Sequence, residues 1–184
     1  MLKAFLSRTI SKFERTWSYD ASYMRDLLNL GAAPFIQFGM VSALGHRGEA
    51  PAEAMAAAGI VGTLAEDCGP CTQIGVDIAA KSGVKPQVLR AILAGDEAAM
   101  GPDAALAYRF AQASLARDME RGDPLRDEIV RRWGDKALVA IALGLTTARM
   151  YPTLKYALGH GKACSRVVVA GAPAPVHRME PLAA

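Results

Sequence analysis

From Leu2 onward the apolar residues Phe5, Leu6, Ile10, Phe13 and Trp17 recur at helical spacing, while Lys3, Ser7, Lys12 and Arg15 fall between them. This predicts an amphipathic opening helix, packed on its own domain, on a neighbouring subunit or on a membrane surface. Tyr23, Met24, Leu27 and Leu28 carry the next helical stripe, with Asp20 or Ser22 as its cap and Gly31 and Pro34 as its end. An apolar segment follows from Phe35 to Leu44, and Gly45, Gly48 and Pro51 mark a loop that carries His46. Pro51 then opens a run, Ala54 to Leu64, that is small and apolar on every side, the pattern of a helix buried all round.

Past Leu64 the pattern is interrupted by polar residues and two cysteines and then resumes, with Cys71, Ile74, Gly75 and Ile78 on one helical face. Gly83 ends that helix, Pro86 opens a stripe of Val88, Leu89, Ile92 and Leu93, and Asp103 opens another along Leu106, Phe110, Ala111 and Ser114. Gly122-Asp123-Pro124 is expected to break the chain before Leu125, Ile129, Val130 and Trp133, and Pro152 to kink or divide the long run from Ala137 to Leu158. The one β-like patch is Val167-Val168-Val169, ahead of a tail from Gly171 with Pro173, Pro175 and Pro181, expected to be mobile or laid over a neighbour. Every strong period is helical, so the expected class is all-α. We divide the chain into an N-terminal helical extension (1–50), a central domain (51–170) and a tail (171–184).

At 184 residues and a net charge of +3, with no run of like charge, the chain has the size of one domain and no footprint for nucleic acid. The nearly uncharged stretches Ala54 to Ala65 and Ala137 to Ala148 are shorter than the ~20 residues of a bilayer span. The opening residues lack the continuous apolar block of a secretory signal. We therefore expect a cytoplasmic protein with no membrane partner. Three cysteines are too few for a disulfide scaffold, and in a reducing compartment a close pair is redox-active more often than structural.

That pair lies in Glu66-Asp67-Cys68-Gly69-Pro70-Cys71-Thr72-Gln73. A C-x-x-C spacing can close a small disulfide ring and suits thiol–disulfide exchange or peroxide reduction. Zinc wants four ligands, and only Cys164, His46, His160 and His177 are left to supply the others, scattered along the chain, so we expect neither metal nor cofactor. Two inert core cysteines are the other plain alternative. Pro70 suits the first turn of a helix, which places Cys71 near the N-terminus, where unpaired N–H groups favour a thiolate. Cys71 is thus the expected nucleophile, Cys68 the residue that resolves its sulfenic acid, and Glu66 or Asp67 a possible general base, with helix capping the alternative for Asp67.

Cys68-Gly69-Pro70-Cys71 is also the thioredoxin tetrapeptide, but there it follows a buried strand, whereas here it follows an Ala- and Gly-rich helical run. The wider stretch Leu64 to Gln73, with Ala79-Ala80-Lys81-Ser82-Gly83-Val84 and, later, Ala148-Arg149-Met150-Tyr151 and Leu154 to Gly159, resembles the alkylhydroperoxidase D-like proteins. These share their fold with carboxymuconolactone decarboxylases, and the resemblance covers about Pro51 to Gly159. It implies an alkylhydroperoxidase D-like helical bundle assembled as a homo-oligomer. It also implies an antioxidant peroxidase or disulfide oxidoreductase acting on a hydroperoxide, with electrons from a thiol or dithiol donor protein. Cys71 matches the family's peroxidatic residue and Cys68 the resolving one. The family's histidine four residues after the second cysteine is Gly75 here, and its glutamate twelve residues before the first is Ala56. That absent proton relay leaves a competing expectation: a non-catalytic or small-molecule-binding member of the same fold.

Overall fold

The computed structural model describes residues 2–44, 49–161 and 167–177; His46 and Cys164 lie outside them. The described residues form an all-α protein. In chain order the helices are α1 (Leu2–Trp17), α2 (Ser22–Leu30), α3 (Ala32–Leu44), α4 (Ala52–Ala65), α5 (Gly69–Lys81), α6 (Pro86–Ala94), α7 (Pro102–Ala116), α8 (Met119–Trp133) and α9 (Asp135–Ala157). A two-residue ribbon follows, β1 (Val168–Val169) antiparallel to β2 (Ala172–Pro173).

The main core is built around α4, which runs between α7 and α9 and also packs on α5. Its side chains are small enough to be buried all round, from Ala54, Ala57 and Ala58 to Ile60, Val61, Gly62 and Thr63. At Gly62 a Cβ would stand 2.8 Å from the Leu145 carbonyl oxygen and 3.1 Å from Ala148 Cβ. Glycine is therefore what lets α4 and α9 come together at this point. Leu106, Tyr108 and Ala111 of α7, Ile129 of α8 and Ile141 of α9 close the core. By length and apolar composition α9 is the one helix among the described residues that could cross a membrane. Within the bundle it buries Ala137, Ala140, Ile141 and Leu145.

The three N-terminal helices build a second apolar cluster, in which Ile10, Tyr19, Ala21, Tyr23, Met24 and Leu28 are buried and Phe13, Trp17, Phe35, Phe38 and Ile74 pack against them. Polar ties hold it in place. Arg25 of α2 pairs with Glu14 of α1 and donates to Ser11 Oγ at 3.1 Å. Lys81 Nζ of α5 sits 3.6 Å above the Trp17 ring, and His160, just past α9, bridges Asp26 (2.9 Å) and Ser22 (3.2 Å).

Several boundaries differ from those read in the sequence. The break expected at Gly122-Asp123-Pro124 falls earlier, where Arg117 turns left-handed (φ 57°) and Asp118 caps α8 by accepting from the Arg121 amide at 3.0 Å. With that capping bond formed, Pro124 is carried inside the helix near its start. Pro152 does not divide α9, which runs on to Ala157. Pro34 does not end a helix but lies in the first turn of α3, where its missing N–H is harmless. The tail from Gly171, expected to be mobile or laid over a neighbour, lies along α6 of its own chain as far as His177. Arg90 donates to the carbonyls of Val169 (2.7 Å) and Pro173 (3.1 Å), and the His177 amide donates to the Leu93 carbonyl at 2.7 Å.

Candidate functional site

The C-x-x-C loop joins α4 to α5 and is held from α9. Past Ala65, Asp67 adopts a left-handed conformation (φ 47°), which aspartate tolerates better than most residues. Cys68 takes the N-cap position of α5, its carbonyl accepting from the Thr72 amide (2.9 Å) and the Thr72 hydroxyl (3.0 Å). Capping thus falls to Cys68 and not to Asp67. Three residues on one face of α9 fix the loop. Arg149 binds the Glu66 carboxylate at 2.6 Å, the Thr153 hydroxyl donates to it at 3.3 Å, and the Tyr156 hydroxyl donates to the Asp67 carbonyl at 2.9 Å. The other side of α5 is held by Gln73, whose amide group exchanges two hydrogen bonds with the Val168 backbone, at 2.7 and 3.1 Å.

Both cysteines are free and buried, at 3% and 7% exposure, and their sulfurs lie 2.7 Å apart. The hydrogen bond from Cys71 holds the Cys68 thiol down, to about 7, against the opposing effect of burial; the Cys71 amide and the Lys155 charge act in the same sense. Cys71 is pushed the other way, by its hydrogen bond to Cys68, by burial and by the Cys68 charge. The balance of these effects favours a thiolate on Cys68, at the N-cap, over one on Cys71.

Two residues that the sequence reading did not single out complete the site. Tyr19, between α1 and α2, places its hydroxyl 3.9 Å from Cys71 Sγ. Burial pushes its phenol far above the ordinary tyrosine range, and Tyr23, hydrogen-bonded to it, is pushed up for the same reason, so both stay neutral. Lys155 of α9 is 5% exposed, with its Nζ 5.3 Å from the centre of the Tyr19 ring. It favours the thiolate form of both cysteines. A signal for Lys155 did exist: with Ala148 and Pro152 it falls at i, i+4, i+7 on the inward face of an apolar helix, where a lysine is out of place.

Glu66 lies beside the dithiol in the chain, but its oxygens bind Arg149 and Thr153, and no sulfur is among its partners. Gly75 and Ala56, the positions matching the family's histidine and glutamate, both line a cavity of about 690 Å³ that also reaches Cys71. A Cβ on Gly75 would touch only Ile60, at 3.8 Å. Among the described residues no cluster of three or more His, Cys, Asp or Glu side chains could hold a metal ion. No protein-family model, no characterised protein and no solved structure matches the chain.

Proposed function

We propose that this chain is a thiol-dependent oxidoreductase that uses the Cys68/Cys71 dithiol to reduce a hydroperoxide. The observation that carries the reading is the pair itself: two free, buried sulfurs 2.7 Å apart at the first turn of a helix, beside a buried lysine. The resemblance to alkylhydroperoxidase D-like proteins points to the same chemistry.

Cys71 is the sulfur that faces the cavity, and Cys68 is the base within reach of its proton. As Cys71 attacks the terminal peroxide oxygen its proton passes to Cys68, the O–O bond breaks, and the leaving alkoxide takes a proton from solvent to depart as the alcohol. Cys71 is then a sulfenic acid. Cys68 attacks that sulfur, water departs with the Cys68 proton and the sulfenic oxygen, and a disulfide remains. A thiol or dithiol donor protein returns two electrons and two protons by exchange through a mixed disulfide. The dithiol thus supplies its own proton acceptor where the family's relay is missing. A disulfide substrate would be reduced by the same two sulfurs.

The exposed apolar side chains Leu2, Phe5, Leu30, Ile36 and Met40 on α1–α3 favour a homo-oligomer, which light scattering checks. The chemistry is tested with one equivalent of hydroperoxide on the reduced wild type, Cys68→Ser and Cys71→Ser, followed by mass spectrometry. The expected result is an intramolecular disulfide in the wild type, and a sulfenic acid at Cys71 trapped only when Cys68 is absent. A wild type that consumes peroxide no faster than a free thiol, or forms no disulfide, overturns the reading.

A further inference from the structure

The cavity beside Cys71 has properties that peroxide reduction does not require. It lies between the N-terminal helices and the α4, α5 and α9 faces, and its size, about 690 Å³, falls within the range of small-molecule sites. Among the described residues lining it there is no Asp, Glu, Lys, Arg or His. Rings from both sides frame it in edge-to-face pairs: Phe13 with Tyr19 (5.6 Å), Tyr23 with Phe38 (5.7 Å) and Phe38 with Tyr151 (5.5 Å). A hydrogen peroxide molecule would leave nearly all of that surface uncovered.

Two glycines give the space its volume. Gly59 and Gly75 lie inside α4 and α5 with ordinary helical backbone, where each costs about 1 kcal/mol relative to alanine. No tight approach requires them: a Cβ on Gly59 would have no neighbour within 4 Å, and one on Gly75 only Ile60 at 3.8 Å. Gly62, one turn further along α4, shows the opposite case, since there a Cβ would collide with α9. Gly59 and Gly75 instead leave room on the cavity side of their helices. The hydrogen-bonding groups at the dithiol end of the cavity are the protonated Tyr19 hydroxyl and the Cys71 thiol.

We propose that this cavity is a binding site for an uncharged, largely apolar organic molecule whose one hydrogen-bonding end meets Tyr19 and Cys71. The rings and aliphatic walls bury the body of such a ligand. A carboxylate, sulfonate or ammonium group would be stripped of water there, and the nearby lysines, Lys155 and Lys81, stand behind the rings of Tyr19 and Trp17 and are not among the described lining residues. The site does not depend on turnover of the dithiol, so it stands or falls separately from the peroxidase reading.

The test uses two fluorescent probes with the same ring skeleton, N-phenyl-1-naphthylamine, which is uncharged, and its 8-sulfonate. Both are titrated into the full-length reduced protein. The uncharged probe should saturate at one per chain, quench Trp17, and bind at least about tenfold more tightly than the sulfonate. Gly59→Leu and Gly75→Leu should each weaken it about tenfold or more while helicity and thermal midpoint hold or rise, because each replaces a helix-interior glycine and fills the hollow. Equal binding of the two probes, no saturable binding, or full binding by a folded leucine variant would each overturn the proposal. The probe comparison on the wild type decides the matter even if a variant fails to fold.

Discussion

The two apolar clusters of this molecule are built on different plans. Around α4 the side chains are small, and helices meet at backbone distance, as at Gly62 against the Leu145 carbonyl. Around α1–α3 the side chains are aromatic, they meet edge to face, and space is left where they adjoin α4 and α5. The first plan produces rigidity, since a close-packed interior has little room to relax around a change. The second produces a hollow, and Cys71 stands at the seam between the two. Cys71 is thereby held by the tight region and reached through the loose one.

The sharpest way to break this contrast is to remove volume from each side. Leu106→Ala, in the tight core, should cost about 2–5 kcal/mol in urea denaturation. Phe13→Ala, half-buried beside the cavity, should cost roughly 1–2 kcal/mol, because less apolar surface returns to water. Equal costs would mean that the N-terminal cluster is packed as closely as the core.

Adding one methyl group to each side sharpens the comparison within a single helix. Gly62→Ala should destabilise by about 1–3 kcal/mol through overpacking against α9. Gly59→Ala should stabilise by up to about 1 kcal/mol through helix propensity alone. If thermal melts move in the same direction for both, the cavity side of α4 is not open.

The electrostatics of the seam give a smaller effect. With Cys68 held at about 7, the rate of peroxide consumption should fall about tenfold for each pH unit below that value and level off above it, since the thiolate is the reactive form. Lys155→Met removes a cation that favours the thiolate, so the titration should move upward by on the order of one unit. The thiolate fraction at pH 7 then drops from about one half to about one tenth, and the rate roughly fivefold, with the difference vanishing at alkaline pH. Lys155→Arg should restore the profile. Ultraviolet absorbance of the thiolate reads the same shift without turnover, and an unmoved titration in Lys155→Met would remove the lysine from the site.

The smallest effect is expected at Glu66. A general base is worth about 10²–10⁴-fold in rate, and Glu66→Gln should show none of that, because its oxygens serve Arg149 and Thr153. A loss of about 1 kcal/mol in stability is the expected cost of the weakened link. A hundredfold loss of rate with stability unchanged would return the base to Glu66.

Much of this was legible in the sequence, and what was not has physical reasons. Helical periodicity and the small-residue run from Ala54 to Leu64 declared an all-α protein with α4 at its centre, and Pro70 declared the start of α5. The prolines at 34, 124 and 152 misled: Pro34 lies in a first turn, where its missing N–H costs little, while Pro124 and Pro152 are carried inside α8 and α9 by the packing of those helices. Cys68 and Cys71 were found by spacing alone. Tyr19 stayed hidden, since nothing local in a residue between two helices says that it will meet a sulfur 52 positions later. Which cysteine takes the N-cap of α5 was harder to see, because boundaries of one or two residues are what sequence patterns fix least well.

The ties on the dithiol loop also set an order of events during synthesis. Glu66 is held by a residue 83 positions later, and Asp67 by one 89 positions later, so the loop has no firm hold until α9 has left the ribosome and docked. Until then the cysteines belong to a nascent chain whose first helices have nothing to cover, and such long-range contacts are slow to form. An unfinished or truncated chain therefore carries the two thiols without the ties that position them, and the dithiol loop takes its final form only when the last helix has docked.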